Sequence, residues 1–366
     1  MPSFLNIRLT NFAFTLLFVI LLLNSCNNKE LNTYEPFSIS GSAQGTTYTI
    51  IADQEKLLKL QSEIDSILLD FDRCLSSYRD SSIVSILSNA DSGTYVFRDI
   101  NNYFGRCFNE SVRVYELSNG AFDPSIFPLV ANWGFLKDPA LEMTQNQIDS
   151  VMKQIGFVEG KDYALEASEY DKHTLTKFYI KKIRPSLKLD FNAIAQGLSV
   201  DVLCEFLEKH GFQNYYVEIG GELRVKGKNK AGELWRIGID LADENNAENQ
   251  TDRTLTNIIS LNNRAVATSG SYRKFYEKDG KKFSHTIDPT TGYPVQHNLL
   301  GATVVAENAA FADAMATVFM VWGVDKSIEF VKSHPDLKLD ILLQFVDDQG
   351  EMSTYYSSGM RNLIAK

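Results

Sequence analysis

Glycines separate several short β-type segments of this chain and limit the folds open to it. Gly220-Gly221 separates the strand pattern of Tyr215 to Ile219 from that of Glu222 to Val225, and Gly45 interrupts a similar pair between Phe37 and Ile51. Such short turns join antiparallel neighbours, because a parallel pair needs a crossover of a dozen or more residues. We therefore predict an α+β fold, with mixed or antiparallel sheets and packed helices.

Apolar periodicity predicts the other elements. Predicted helices cover Leu57 to Phe71, Asn102 to Leu117, a segment from the Thr144–Gln147 capping box to Gly156, Ala193 to His210, and Asn308 to Val321. Further predicted strands begin at Lys188 and cover Trp235 to Asp240, Ile258 to Leu261, and Leu339 to Phe345.

Residues 1–25 have the organisation of a secretory signal peptide. Arg8 is their only charged residue, and Phe12 to Leu23 is almost wholly apolar. That run is shorter than the roughly 20 residues of a bilayer span and suits a signal peptide. It leads into Leu-Asn-Ser-Cys26, which resembles the lipobox of bacterial lipoproteins. The resemblance implies lipidation of Cys26 and a tether over 26–36; the alternative is an ordinary signal peptide with an incidental cysteine.

Charge and cysteine content exclude several functions. The chain has 36 basic and 46 acidic residues and a net charge of −10, which argues against binding of nucleic acid phosphates. Cys74, Cys107 and Cys204 follow Cys26 without a CxxC motif. We therefore expect buried free thiols rather than a disulfide framework or a zinc site.

The segment Ala309 to Val321 places two oxygen-bearing side chains on an apolar helix. Asp313 and Thr317 are four residues apart and share one helix face. A buried carboxylate needs a partner, and Mg²⁺ prefers oxygen ligands. A surface-facing Asp, with a Thr bonded back to its own helix, explains the same spacing, so both readings stay open.

The segment Asp190 to Gly197 (DFNAIAQG) lies where a predicted strand turns into a helix. Free N–H groups at such a helix start bind anions, including phosphates. The segment is neither a GxGxxG nor a Walker A sequence, so it supports neither a dinucleotide Rossmann site nor a P-loop. An ordinary helix N-terminus is the alternative.

A proline-containing loop after Gly120 carries Phe122, Phe127, Trp133 and Phe135. Aromatic faces stack well on flat heterocycles, so this loop could hold one. Packing of the same rings in the core is the alternative.

The segment Ser284 to Pro294 (SHTIDPTTGYP) is either a plain turn or a rigid mount for His285 and Asp288. Its prolines and Gly292 are ordinary turn residues. Ser269 and Ser271 precede it, but neither stands in the GxSxG elbow of a serine hydrolase. The local pattern therefore argues against a hydrolase triad.

Eight ordered motifs resemble the bacterial FAD:protein FMN transferases, the ApbE-type flavin transferases. They are GTTY (45–48), LSSY (75–78), GAFDPSIFPLV (120–130), DFNAIAQG (190–197), VEIGGEL (217–223), AVATSGSYRKF (265–275), SHTIDPTTGYP (284–294) and FADAMAT (311–317). The resemblance implies an ApbE-like, T-fold-like α+β architecture. Residues 37–366 would form the flavin transferase domain, as one unit or as two closely packed subdomains.

The resemblance also implies the reaction and its setting. FMN from FAD would be joined through a phosphodiester to a Thr or Ser hydroxyl of an acceptor protein, with release of AMP and one or two Mg²⁺ ions as cofactor. The acceptor would be a subunit of a membrane redox complex, and the enzyme would be lipid-anchored in the bacterial cell envelope, facing the periplasm. The alternatives are a FAD pyrophosphatase and a flavin-binding lipoprotein without turnover.

The family's site residues map onto this chain by resemblance. The metal ligands would be Asp313, Thr317 and the carbonyl of Ala193. The FAD contacts would be Gln44, Gly45, Tyr78, Ala121, Phe122, Asp123, Asp190, Gln196 and Ile287. His285 is the candidate general base, because histidine has an unperturbed pKa of about 6.5; Asp288 is interpreted as a turn former or orienter.

The chain departs from the commoner family pattern at three positions. Gln44 stands where Met is frequent, Gln196 where Lys or Glu is usual, and Ala316 where some members have a second Asp in the metal site. Gly301-Ala302-Thr303 resembles the end of an acceptor motif but lacks its upstream Asp, so we do not expect self-flavinylation.

Overall fold

The computed structural model describes residues 35–135, 143–166, 169–171, 174–243, 254–271, 275–278, 281–284 and 286–365. The helices are α1 (Gln61–Leu75), α2 (Ile83–Asn89), α3 (Tyr103–Leu117), α4 (Phe127–Asn132), α5 (Gln145–Met152), α6 (Ala195–Lys209), α7 (Ala309–Trp322), α8 (Val324–Ser333) and α9 (Ser358–Leu363). The strands are β1 (Phe37–Ala43), β2 (Thr46–Ala52), β3 (Gly93–Arg98), β4 (Tyr163–Leu165), β5 (Glu169–Asp171), β6 (Thr174–Lys182), β7 (Tyr215–Ile219), β8 (Glu222–Lys226), β9 (Trp235–Asp240), β10 (Leu255–Leu261), β11 (Arg264–Gly270), β12 (Phe275–Lys278), β13 (Lys281–Ser284), β14 (Leu299–Ala306), β15 (Asp340–Val346) and β16 (Met352–Tyr356). Within these ranges, no helix combines the length and apolarity that a bilayer crossing requires.

The largest layer is an eight-stranded sheet in the order β1-β2-β7-β8-β11-β14-β15-β16. Every neighbouring pair in it is antiparallel. The β1–β2 turn consists of Gln44 and Gly45, whose φ angles are +53° and +75°. Two left-handed residues match the twist of a tight hairpin, which explains why glycine is used here.

Strand β14 shows how the sheet is covered on both faces. Ala302, Val304 and Ala306 pack in the same cluster as Ala312 and other residues of α7. Val305 points the other way, into a cluster formed with the β9–β10 hairpin and α9. Because successive strand residues face opposite sides, this alternation places helices α6 and α7 on one face and the hairpin on the other.

A smaller sheet, in the order β3-β6-β4 with β5 beside β6, packs on α3. Phe97 and Phe178 from this sheet meet Phe104, with ring centroids 6.2 and 5.2 Å away. These rings lie in the same hydrophobic cluster as α7, so the small sheet is joined to the main layers through α3.

Most element predictions are confirmed, and one is wrong. The prediction of mixed or antiparallel sheets with packed helices is confirmed, and Gln147 Oε1 accepts the Thr144 N–H at 2.7 Å in the predicted capping box. The predicted strand at Lys188 is absent from residues 188–191. Its backbone bonds elsewhere: the Asp190 N–H donates to the Pro124 carbonyl at 2.7 Å.

The cysteines agree with the expectation of free thiols. Cys74, Cys107 and Cys204 are unpaired, and the last two are buried. Burial raises the pKa of both buried thiols well above its ordinary value, so they behave as small apolar core groups.

Candidate active site

Helix α7 carries the buried carboxylate at the centre of the candidate site. Asp313 is 6% exposed on a helix of mostly Ala, Phe, Met and Val. Its Oδ2 accepts the N–H of Gly197 at 3.1 Å. Burial raises the pKa of Asp313 to about 7, against the opposing effect of that hydrogen bond. A carboxyl in this position is suited to a positively charged partner.

Gly197 allows α6 to approach α7 closely. A Cβ at this position would lie 2.3 Å from the Ala309 carbonyl oxygen and 2.9 Å from the Ala310 Cα. Real Cβ atoms do not approach backbone so closely, so a larger residue would push the helices apart. The hydrogen bond between Gly197 and Asp313 therefore depends on glycine.

Thr317 lies one turn after Asp313 and beside the end of β11. Its Oγ1 is 3.4 Å from Ser269 Oγ, and both residues are half-buried. The reading of Asp313 as a surface-facing residue is wrong, because the carboxylate is buried. The sequence pattern suggests for Ser269 only the role of a hydrolase nucleophile, but its hydroxyl lies against Thr317.

The turn before α6 contains a backbone carbonyl that accepts no hydrogen bond from the described residues. The Phe191 carbonyl accepts the N–H groups of Ile194 and Ala195. Across the described chain, no N–H donates to the Ala193 carbonyl, because the Gly197 N–H four residues later bonds to Asp313. An unpaired carbonyl at a helix start is free to bind another group.

These oxygens match the preferences of a hard cation. In the part of the chain that the structure describes, no group of three or more His, Cys, Asp or Glu side chains could hold a metal. A carboxylate, a hydroxyl and a carbonyl form an all-oxygen donor set, which Mg²⁺ prefers over nitrogen and sulfur ligands. The chemistry of the set therefore fits Mg²⁺.

Two sheet turns meet the start of α6. A Cβ on Gly220 would lie 2.2 Å from Gln196 Nε2 and 2.9 Å from Thr46 Cγ2, and the Gly220 N–H donates to the Thr47 carbonyl at 3.1 Å. The β1–β2 turn that contains Gln44 and Gly45 is therefore next to the β7–β8 turn and to Gln196.

The amide of Gln44 is buried and unpaired. Among the described residues, neither its Oε1 nor its Nε2 has a hydrogen-bond partner. A buried amide without partners costs roughly 1–3 kcal/mol for each unsatisfied group. Gln44 also adopts a left-handed backbone conformation, which glycine and asparagine tolerate better. The unpaired amide and the left-handed backbone therefore both destabilise the protein at one residue beside the site.

The loop after Gly120 is tied to the α6 turn through Pro124. Asp123 Oδ1 accepts the Ser125 N–H at 2.7 Å, and Asp190 Oδ1 accepts the Asn192 N–H at 2.8 Å. Burial raises the pKa of both carboxyls, that of Asp123 to about 6. The loop and the turn therefore bring two buried acids to neighbouring positions.

The turn over 286–295 is rigidly held. Asp288 Oδ1 accepts both the N–H and the hydroxyl of Thr290, at 2.8 and 2.7 Å. The Trp133 indole donates to the Gly292 carbonyl at 2.8 Å, and a Cβ on Gly292 would lie 2.8 Å from Ile148 Cγ2. The interpretation of Asp288 as a turn former is confirmed.

Comparison with known proteins gives the family. The model of the ApbE family matches residues 44–341. The chain belongs to the ApbE family. A Haemophilus influenzae protein named FAD:protein FMN transferase is 35% identical over 308 residues, which cover 81% of this chain and 84% of that protein. The flavin transferase ApbE from Vibrio cholerae has a TM-score of 0.73 at 31% identity, covering 90% of this chain and 99% of its own.

A second solved structure agrees. The apo flavinyl transferase ApbE from Pseudomonas stutzeri has a TM-score of 0.75 at 27% identity and covers 90% of this chain and 97% of its own. The predictions that the chain is a transferase of this family and has its fold are confirmed.

The predicted ApbE-type site residues do not all lie together. Ala193, Gln196, Asp313 and Thr317 lie around the contact of α6 with α7, with Gln44, Gly45, Asp123 and Asp190 in the adjoining turns. Ile287 pairs with Pro294 in the rigid turn. Tyr78 is 78% exposed between α1 and α2, and no described contact joins it to the others. His285 and Cys26 lie outside the described residues.

Two of the four rings in the aromatic loop pack inward, while Phe127 and Phe135 are half-buried. Ala121, Phe122 and Trp133 are 4%, 3% and 3% exposed, so these side chains belong to the hydrophobic core. For Phe122 and Trp133, core packing is therefore the better interpretation than a stacking platform. Tyr78, by contrast, presents an exposed ring.

The shifted pKa of Asp123 predicts a pH-dependent stability. The folded state holds the Asp123 proton more tightly than the unfolded state, so the stabilisation is complete below about pH 4 and is lost as pH rises through about 6. Asp123→Asn should be more stable than the wild type by about 2–3 kcal/mol at pH 7, with no gain near pH 4. Urea unfolding at several pH values measures this; a constant difference would contradict it.

Proposed function

We propose that this chain transfers the FMN part of FAD to a Thr or Ser hydroxyl of an acceptor protein and releases AMP, in a Mg²⁺-dependent reaction. The observation that carries the proposal is the buried Asp313, held opposite the Gly197 N–H and one turn from Thr317. Membership of the ApbE family and the names of its relatives give the chemistry of the substrate.

Asp313, Thr317 and the Ala193 carbonyl would hold the cation. When bound, Mg²⁺ supplies positive charge that offsets the charge developing on the pyrophosphate of FAD. Ala316 is fully buried and offers no ligand atom in its side chain, which supports one cation rather than two.

The transfer step is a substitution at phosphorus. The oxygen of the acceptor hydroxyl forms a bond to the flavin-side phosphorus, and the P–O bond to the AMP part breaks, so AMP leaves with that bond's electrons. His285 accepts the hydroxyl proton, because a hydroxyl is a poor nucleophile until a base takes its proton.

The acceptor would be another protein. Thr303, in the segment that resembles an acceptor motif, is fully buried on β14, and its hydroxyl is 2.9 Å from that of Thr268. Such a hydroxyl cannot reach the site, which supports an acceptor in trans. We propose a subunit of a membrane redox complex, reached from a Cys26 lipid anchor on the periplasmic face of the cell envelope.

One incubation tests the reaction. The protein is mixed with FAD, Mg²⁺ and a candidate acceptor, and AMP, free FMN and protein-bound flavin fluorescence are measured. AMP in equal amount to bound flavin supports the transferase. AMP with free FMN would identify a pyrophosphatase, and intact FAD that stays bound would identify a binding protein.

Substitution of Gln44 should raise the stability of the protein and lower its affinity for FAD. Replacing its unpaired amide by the similar-sized Gln44→Met should stabilise the FAD-free protein by about 1 kcal/mol and weaken FAD binding roughly tenfold, the value of one or two hydrogen bonds. Urea unfolding and FAD titration measure the two effects.

Gln349→Met is the matched control, because Gln349 is exposed in the turn between β15 and β16, at the other end of the sheet. Gln349→Met should change neither the stability of the protein nor its affinity for FAD. Unchanged FAD affinity in Gln44→Met would rule out an amide contact with FAD.

A further inference from the structure

A second buried carboxylate joins α6 to the start of α7. Asp201 is 3% exposed and lies one turn after Gly197 on α6. Its Oδ1 accepts the Ala309 N–H at 3.0 Å, and its Oδ2 accepts the Ala310 N–H at 2.9 Å. One side chain on α6 therefore holds the first two N–H groups of α7.

These hydrogen bonds are additional to the local cap of α7. Asn308 is already a local N-cap, since its Oδ1 accepts the Phe311 N–H at 2.8 Å. Such a cap satisfies one N–H group and comes from the helix's own segment. The two bonds from Asp201 instead connect two helices, so their consequence is the position of α7 relative to α6.

Arg224 compensates the charge of Asp201. Its Nη1 lies 2.9 Å from Asp201 Oδ1, and it comes from β8 under the same helices. Burial raises the pKa of Asp201, while Arg224 and the two N–H groups lower it. A buried carboxylate with these partners is held in one orientation.

Three successive turns of one α7 face contact α6 or the sheet. Ala309, Asp313 and Thr317 are four residues apart and share this face. They meet Asp201, Gly197 and Ser269 respectively. Contacts at 197 and 201 set both the rotation of α7 and its position along its axis.

We propose that Asp201 is a positioning residue for the cation site: it holds α7 in the register in which Asp313 and Thr317 face the Ala193 carbonyl. The inference rests on the proposed function for that oxygen set. Ligand groups must be held within about 0.5 Å of their productive geometry, so a small shift of α7 weakens the site. Asp201 is not among the proposed ligands of the cation, and its described partners are Ala309, Ala310 and Arg224.

The test is Asp201→Asn, with the affinity for a divalent cation as the readout. Asparagine keeps one oxygen acceptor but cannot accept both N–H groups equally, and it leaves Arg224 without its counter-charge. Supporting groups of metal ligands typically contribute 10–100-fold to metal affinity. Titration of the FAD-free protein with Mg²⁺ by calorimetry, and with Mn²⁺ by EPR, should give a Kd raised at least about tenfold.

Asp99→Asn is the matched control. Asp99 is also a buried carboxylate that accepts two helix N–H groups, those of Tyr103 and Gly105 at 2.9 Å each, but on α3. Both variants should unfold at lower urea concentration, and only Asp201→Asn should lose cation affinity. Equal loss in both, or a Kd within twofold of the wild type in Asp201→Asn, would overturn the inference.

If Asp201→Asn does not fold, Gly197→Ala tests the position of α7 on α6 from the neighbouring turn. The Cβ of the introduced alanine would meet the Ala309 carbonyl oxygen and push α7 away. A wild-type Kd in that variant would also overturn the inference. A wild-type protein that binds no divalent cation would overturn the cation site together with this inference. Transfer by a wild type that binds the cation, with an unaltered Kd in Asp201→Asn, would overturn the inference alone.

Discussion

Asp313→Ala should abolish Mg²⁺-dependent release of AMP from FAD while FAD binding weakens much less. The substitution removes the only carboxylate in the proposed oxygen set of Asp313, Thr317 and Ala193. Charge stabilisation at a pyrophosphate contributes several kcal/mol, so we expect the rate to fall by roughly 10³-fold or more. FAD affinity depends on many other contacts and should change by about tenfold at most.

AMP production by chromatography and FAD binding by fluorescence measure the two quantities separately. Asp325→Ala is the control, because Asp325 is an exposed acid in the first turn of the next helix, α8. Its turnover should equal that of the wild type. Unchanged turnover in Asp313→Ala would remove the cation from the proposed mechanism.

His285→Ala should keep FAD and cation binding but slow transfer by about 10²–10⁴-fold, the usual contribution of a general base. The base must be neutral to accept a proton. The wild-type rate should therefore rise as pH increases through about 6.5, and this dependence should be lost in the variant. The rigid turn that begins at Thr286, held by Trp133 and α5, is a suitable mount for such a residue.

Single-turnover release of AMP with acceptor, recorded from pH 5 to 8, gives both the rate and its pH dependence. His334→Ala is the control, since His334 lies at the end of α8 and bonds to the Phe330 carbonyl. A wild-type rate in His285→Ala would reduce the segment Ser284 to Pro294 to a structural turn.

The fold was predictable where local chemistry decides it. The β1–β2 hairpin follows from glycine in a left-handed turn, and α5 follows from its capping box. The strand predicted at Lys188 was wrong, because the Asp190 N–H bonds to Pro124, which is distant in sequence. A local pattern contains no information about such a partner.

In the candidate site, too, local features were predictable and contacts with distant residues were not. The spacing of Asp313 and Thr317 identified the correct helix face but could not tell burial from exposure. Gly197 and Asp201 decide that question through contacts with Ala309 and Ala310, which are over a hundred residues away. Phe122 and Trp133 were ambiguous for a similar reason, since spacing does not reveal which ring faces are already covered.

The close packing of α6 on α7 makes tolerance to mutation uneven around the site. Where Gly197 meets Ala309 and Ala310, even one added methyl group has no space. Gly45 and Gly221, in the sheet turns nearby, have no atom within 4 Å of an added Cβ, but their φ angles of +75° and +113° strain any other residue. Substitution is therefore blocked by the atoms of α7 at Gly197, and it is opposed by backbone strain at Gly45 and Gly221. A change in either turn leaves the packing of α6 on α7 intact, whereas a change at Gly197 does not.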